Sequence, residues 1–324
     1  MAGKLGKLLA LLLLLTPLFG CSPALDSSSE QAGLSITSDR VASPSASVAQ
    51  SPQPAGPAAG QDAVASLPFV RSRPETVPPF PIVLNRTVQN YVDGYVNQPA
   101  SLKQSLRRLS PYVAEMDSVL RDRGLPPDLV YLTVAESGFS RTGAGPWQLN
   151  RGTARRFGLT INRWVDERRD PIKSTRAAAD YLTTLYDETG SDWRMTLVAW
   201  NNGEAGCYRY LHLRNASYER LMQHLPRRTR ALLNRFMAVA LIARHREAYG
   251  LEPARYATSS PYQIVAVKGG TPLTSVAERR HMSVAALRSL NPALVRNLVP
   301  PTATVYPVRV PATGATAALV SAEL

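Results

Sequence analysis

Residues Leu125 to Asn150 read LPPDLVYLTVAESGFSRTGAGPWQLN, and the reading of this stretch decides the fold around it. Gly124 ends one helical pattern. Pro126 and Pro127 suit the first turn of the next, where a backbone N–H has no intrahelical partner to lose. The apolar run Leu129, Val130, Leu132, Val134 and Ala135 is broken at Gly138, so Glu136 falls in the last turn of a mostly buried helix. There the negative end of the helix dipole and an apolar surround both disfavour a charged carboxylate, so its proton is expected to be held to a higher pH than in water. A carboxyl protonated near neutrality is what a general acid requires. The plainer alternative is a helix-terminal Glu pointing at solvent. Against it stand the apolar helix leading in and the Gly-rich loop leading out, whose small residues let another molecule approach the backbone.

Upstream, Val88, Tyr91, Val92, Tyr95 and Val96 share one helical face. After Pro99, Leu102, Leu106, Leu109, Val113, Met116, Val119 and Leu120 form a second stripe ended by Gly124. Downstream, Thr153 to Phe157 is a short turn of helix stopped by Gly158. Asp170-Pro171, an N-cap carboxylate followed by proline, opens a helix through Ala178, Leu182, Leu185 and Tyr186 to Gly190. Asp192 caps the next, which carries Trp193, Leu197, Val198 and Trp200 and breaks at Asn201-Asn202-Gly203. Helical stripes continue through Leu211, Leu221, Leu225, Leu232, Leu233, Phe236, Met237, Ala240 and Leu241 until Gly250. Nothing from Val83 to Gly250 alternates like a strand, which predicts an all-α domain over residues 81–256. Beyond Tyr262, Gln263 to Val267 and Thr304 to Val310 read as strands, with Thr274 to His281 and Val284 to Leu290 helical between them and a turn at Asn291-Pro292. A compact strand, helix, helix, strand unit is therefore expected over residues 260–312, with a disordered tail at 313–324.

The amino-terminal residues 1–20 have the form of an export signal: Lys4 and Lys7, an apolar run from Leu8 to Phe19, then Gly20. That run falls short of the roughly 20 residues a membrane-spanning helix needs. Residues 21–80 are rich in Ser, Ala, Pro and Gln, with no apolar period and too little greasy surface to offset the entropy of ordering; they read as a disordered tether.

Lys and Arg number 37 against 24 Asp and Glu, for a formal charge of +13, and only five of the cations are Lys. Such a balance suits any polyanion and does not choose among them; a solvated basic face is the ordinary reading. No aromatic-basic interleaved motif accompanies it, and with the export signal this argues against nucleic acid as partner. The two cysteines, Cys21 and Cys207, lie in unlike settings and make no disulfide framework. Cys207 reads as a small buried apolar residue rather than a reactive thiol. His212, His224, His245 and His281 lie far apart with no ligand pair, so no metal or cofactor is expected. Gly138-Phe139-Ser140-Arg141-Thr142 lacks the second Gly of a nucleophile elbow, and no phosphate-cradling loop is present.

Four ordered motifs carry a resemblance. Glu136-Ser137-Gly138-Phe139, Gly145-Pro146-Trp147-Gln148, Asp166-Glu167-Arg168-Arg169-Asp170-Pro171 and Ala199-Trp200-Asn201-Asn202-Gly203-Glu204 resemble the successive motifs of the soluble-lytic-transglycosylase domain. Residues 81–124 resemble the lead-in helices of the membrane-bound lytic murein transglycosylase D family. Val267 to Leu273 with Leu290-Asn291-Pro292 resembles a degenerate LysM module, with Gly270 where an acidic residue usually precedes the Thr. Leu18-Phe19-Gly20-Cys21 is similar to the lipobox of bacterial lipoproteins, in which the cysteine is lipidated; Ser22 after it points to the outer membrane.

The resemblance implies a lysozyme-like helical fold with a cleft for a glycan strand. Glu136 would be the single acid and base that cleaves between N-acetylmuramic acid and N-acetylglucosamine with closure of a 1,6-anhydro ring. Ser137, Trp147, Gln148, Trp200 and Asn201 would contact substrate; Trp147 is either a platform for a sugar face or a core residue. Peptidoglycan would be the partner, the membrane would be reached only through the lipid on Cys21, and oligomeric state is left open. Two departures stand out: the loop from Glu136 to Trp147 is about six residues shorter than in that family, and Trp200 replaces a Tyr. Two other readings stay open, a wall-binding lipoprotein without turnover, and a hydrolytic muramidase using Asp166 or Glu204 as its second carboxylate.

Overall fold

The computed structural model describes residues 77–252 and 261–312. The expected export signal, Cys21, the expected tether before residue 77 and the expected tail at 313–324 lie outside the described residues. Twelve α-helices, four short 3-10 helices and one two-stranded sheet are described, and no strand interrupts the helical body before residue 261.

The helices are α1 (Arg86–Asn97), α2 (Ala100–Leu109), α3 (Val113–Arg121), α4 (Leu132–Ser137), α5 (Arg151–Arg156), α6 (Pro171–Glu188), α7 (Trp193–Asn202), α8 (Glu204–Tyr208), α9 (Tyr218–His224) and α10 (Arg227–Arg244). Their starts follow side-chain chemistry. Asp170 accepts from the N–H groups of Ile172 and Lys173 at the head of α6, and Asp192 accepts from those of Arg194 and Met195 at the head of α7, satisfying donors that a helix start leaves open. Helix α10 is the core rod. Leu232, Leu233, Phe236, Met237, Val239 and Ala240 are all buried, and it packs against α1, α4 and α7, as expected of a helix apolar on more than one face.

Four expectations change. The stripe from Leu102 to Leu120 is buried throughout, but it belongs to two helices, because Pro111 cannot donate in a helix interior and the chain turns between Ser110 and Tyr112. The run into Glu136 likewise begins as a 3-10 turn over Pro127–Tyr131 before α4. Phe80, placed by composition in the tether, is a core residue: it is 1% exposed and meets Phe236 edge-on at 4.9 Å. Its backbone is pinned as well. Phe80 N–H donates to Asp128, whose carboxylate also pairs with Arg244, and Arg244 donates to the Phe80 carbonyl. Composition around a single aromatic hides such an anchor. Val96, grouped with the face of α1, is 42% exposed, whereas Val88 and Val92 are buried.

The C-terminal unit runs β1 (Tyr262–Lys268), α11 (Leu273–Arg279), α12 (Val284–Leu290) and β2 (Val305–Pro311). The strands pair antiparallel from Tyr262 opposite Pro311 to Lys268 opposite Val305. This unit has its own core of Val267, Leu273, Val276, Leu287, Leu294, Val299, Val308 and Val310, and Val165 of the helical body is inserted into it. Backbone bonds fasten the insertion: Val295 N–H to the Trp164 carbonyl at 3.0 Å and Asp166 N–H to the Ala293 carbonyl at 2.8 Å. Arg309 pairs with Asp170, the same carboxylate that caps α6, while Asn291 clamps the Arg309 backbone from both sides.

Truncating Phe80 removes a fully buried ring from the junction of α10 and the 3-10 turn. Phe80→Ala should lower the unfolding free energy by about 3–5 kcal/mol in denaturant titration; an unchanged midpoint would mean the ring is not part of the core.

Candidate active site

Helix α4 ends where Gly138 turns left-handed at φ 61°, and the N–H groups of Gly138 and Phe139 close back on the carbonyls of Val134 and Thr133. Only glycine takes that turn without strain. The cap fixes the last turn of α4, and Glu136 projects from it to meet α7, where the Trp200 indole Nε1–H donates to Glu136 Oε1 at 2.9 Å. Trp200 is itself held by aromatic neighbours, Trp147 edge-on at 5.8 Å and Tyr181 at 5.5 Å.

Burial is the largest influence on Glu136 and holds its carboxyl above the usual range; the Trp200 N–H, Arg235 and Arg228 act in the opposite direction without outweighing it. Its proton is therefore held to a higher pH than that of a solvent-exposed Glu.

The carboxyl opens into a polar recess of about 390 Å³. One wall is Gln148, Leu149, Asn150 and Thr153 from the loop and the start of α5. The other is Tyr181 and Trp200 with Asn201, Asn202, Gly203 and Arg228. Glu136 is the one acidic side chain among these residues. The Thr229 hydroxyl lies 2.9 Å from Asn201 Oδ1 and 2.7 Å from Asn202 Oδ1; having one proton, it serves one of them at a time. Asn202 Nδ2 is buried and has no hydrogen-bond partner among the described residues.

Two features of the loop explain its shape. A Cβ on Gly145 would lie 1.7 Å from the Arg168 carbonyl oxygen, so only glycine allows the loop to lie against the segment after Asp166. Arg168, buried and paired with Asp166, donates to the Leu149 carbonyl at 3.0 Å and so holds the recess wall from behind.

Of the expected site residues, Glu136, Gln148, Trp200 and Asn201 come together at the recess. Two do not. Trp147 is 1% exposed and its indole donates to Thr175 at 2.9 Å; it has no face for a sugar and instead backs Trp200. Ser137 Oγ faces the loop, accepting from Ser140 N–H and lying within bonding distance of the Thr133 and Pro146 carbonyls. It therefore braces the loop rather than lining the recess. Cys21 lies outside the described residues. Sequence reading missed Tyr181, Asn150, Thr153, Asn202 and Arg228. Asn202 was legible beside Asn201, but the others come from elements whose meeting is a matter of packing.

The carboxylates considered as a second catalytic group are engaged elsewhere. Burial penalises the charge on Asp166, but the Arg168 hydrogen bonds and charge outweigh that and hold its carboxyl below the usual range. Glu204 pairs with Arg156 at 2.8 Å. Neither lines the recess. Cys207 is buried and its thiol is pushed up to about 11 by burial, so it is inert at neutral pH.

A raised carboxyl pKa in the folded state costs stability once the group ionises. That cost is absent below the unfolded value near 4.3 and grows as pH rises through the folded value. Glu136→Gln should therefore melt higher than wild type at pH 7, with the gap closing below about pH 4; a variant less stable than wild type at pH 7 would contradict the burial argument.

Comparison with known families agrees with this geometry. Residues 120–223 match the model of the Transglycosylase SLT domain, and residues 263–320 match that of the LysM-like domain of lytic transglycosylase MltD. Membrane-bound lytic murein transglycosylase D of Escherichia coli (strain K12) is 26% identical over 216 residues, 64% of this chain and 48% of that protein. The "Putative tributyltin chloride resistance protein" of Alteromonas sp. (strain M-1) is 32% identical over 116 residues, 34% of this chain and 55% of that protein. The chain thus spans about half the length of the curated relatives it matches. With an SLT domain followed by an MltD-type LysM-like domain, the chain has the domain order of, and is similar to, the membrane-bound lytic murein transglycosylase D family.

Proposed function

We propose that this protein is a lytic transglycosylase of peptidoglycan, with Glu136 as its single acid and base. The observation that carries the reading is one half-buried carboxyl, held above its usual pKa, the one acidic group among the residues that line a polar recess. Because Trp200 donates to Oε1, the proton sits on Oε2. Glu136 gives it to the oxygen joining N-acetylmuramic acid to N-acetylglucosamine as that bond breaks through an oxocarbenium-like state. The ionised carboxylate then takes the proton of the muramoyl C6 hydroxyl as that oxygen closes onto C1. The 1,6-anhydro ring forms without water. A second carboxylate is unnecessary because the substrate supplies the nucleophile, held at high effective concentration.

Trp200 fits both halves of this cycle. An indole N–H can donate and never accept, so it supports the carboxylate that exists between the two proton transfers. Gln148 and Asn201 supply polar contacts for sugar hydroxyl and acetamido groups, and Arg228 suits the acidic character of the wall polymer. The LysM-like unit would add glycan contacts. A lipid on Cys21, at about 0.8 kcal/mol per buried CH₂, would hold the protein on the periplasmic face of the outer membrane, with residues 22–76 giving reach into the wall.

Mass spectrometry of purified peptidoglycan after incubation with the protein tests the reaction. Fragments one water lighter than reducing muropeptides are expected, and Glu136→Gln should cut their formation by about 10²- to 10⁴-fold. Reducing ends would replace this reading with hydrolysis; co-sedimentation with the wall and no fragments would replace it with binding alone. Trp200→Phe removes a donor to the carboxylate and should raise the Glu136 pKa further, moving the alkaline limb of the pH–rate profile upward. A downward move would contradict the assigned hydrogen bond.

A further inference from the structure

A second recess, of about 200 Å³, lies between the helical body and the LysM-like unit. Its floor is apolar, from Pro111, Ile172, Leu290 and Pro292, and its rim is charged, from Arg141, Arg309 and Glu115. The rim charges differ in how they are spent. Arg309 is paired with Asp170 and lies over the Tyr262 ring at 5.1 Å. Arg141 donates only to neutral oxygens, the Tyr112 hydroxyl at 2.8 Å and the Ser289 carbonyl at 3.0 Å, and no carboxylate among the described residues pairs with it. Glu115 is exposed and attracts Arg309 by charge, without a hydrogen bond or close ion pair between them. One guanidinium and one carboxylate are therefore available across an apolar floor.

We propose that this recess is a second binding site, taking a short peptide of small residues that bears both a free carboxylate and a free amine. Arg141 receives the carboxylate, since a charge-assisted bond there is stronger than those it makes to a phenol and a carbonyl. Glu115 receives the amine, and the floor covers small apolar side chains. Size agrees: a cavity of about 150 Å³ holds a benzene molecule, so this one suits a residue or two and not a glycan strand. A wholly anionic ligand would meet Glu115 unfavourably, and a wholly cationic one Arg141.

The site is built before any ligand arrives. Arg141 is pinned from both units, and the insertion of Val165 with its flanking backbone bonds fixes the walls relative to each other. It lies at the Tyr262 end of the hairpin, whereas the loop after Lys268 packs on residues 300–303 at the other end. Arg141 also sits on the loop that leads from Glu136 to the recess wall, so the two recesses are joined by one short segment of chain. Identifying the ligand with the stem peptide of peptidoglycan rests on the function proposed above; the recess and its charge pattern do not.

The test is calorimetric titration of the full chain in detergent with a free stem tetrapeptide, alanyl-isoglutamyl-diaminopimelyl-alanine, alone and with saturating chitooligosaccharide. Binding is expected, unchanged by the oligosaccharide and weakened at least tenfold by Arg141→Gln and by Glu115→Gln. The second variant guards against the first merely loosening the interface, because Glu115 is exposed and acts on Arg309 through charge alone. No binding, binding displaced by the oligosaccharide, or equal binding by both variants would overturn the proposal. Wild-type turnover of peptide-bearing strands should also show a lower KM than turnover of amidase-stripped strands, and equal KM values would count against it. Absence of turnover on both would sink the catalytic reading and leave the titration to decide the peptide site.

Discussion

A carboxyl group half withdrawn from water beside an indole N–H is the constraint on which the rest of this structure depends. For the role proposed above, burial alone would keep Glu136 neutral and useless as a base, and full solvation would leave it ionised and useless as an acid. The arrangement lies between. Partial burial disfavours the charged form, while Trp200, Arg235 and Arg228 favour it. Such a setting demands that α4 and α7 be placed accurately, since the bond between them is 2.9 Å long and an error of an ångström would break it. The buried surface of α10 against α4 and α7, the aromatic packing of Trp147 and Tyr181 on Trp200, and the left-handed cap at Gly138 all serve that placement.

The segment from Trp164 to Asp170 ties the two units together and also reaches the site. Val165 enters the core of the C-terminal unit, Asp170 pairs with Arg309 of β2 while capping α6, and Arg168 supports the recess wall through the Leu149 carbonyl. The C-terminal unit is thus built onto the helical body as an extension of the same scaffold. Because one short segment carries all three tasks, changes at the junction of the units would be felt at the carboxyl as well as in stability.

Much of this was legible in the sequence because it rests on local chemistry. Proline after aspartate marks the start of α6, Asp192 marks that of α7, and the alternation of period between residues 250 and 262 separates helix from strand. Glu136 could be singled out because its helix is apolar and its loop is glycine-rich, both readable within a dozen residues. What escaped depends on contacts between distant segments. Phe80 looks like tether until Asp128 and Arg244 are seen to hold its backbone. Trp147 looks like a platform until Thr175 is seen to take its indole N–H. Arg228 lies on a helix with no motif of its own, and the seam at Val165 joins two units that each read as complete.

Titration of the Glu136 carboxyl by carbon-13 NMR, with the side chain selectively labelled, tests the account at its centre. A midpoint well above the ordinary value of about 4.3 is predicted, together with a carboxyl signal that responds to replacement of Trp200. A midpoint at or below that value would mean the group is ionised and solvated at neutral pH, and the assignment of Glu136 as a proton donor would have to be abandoned.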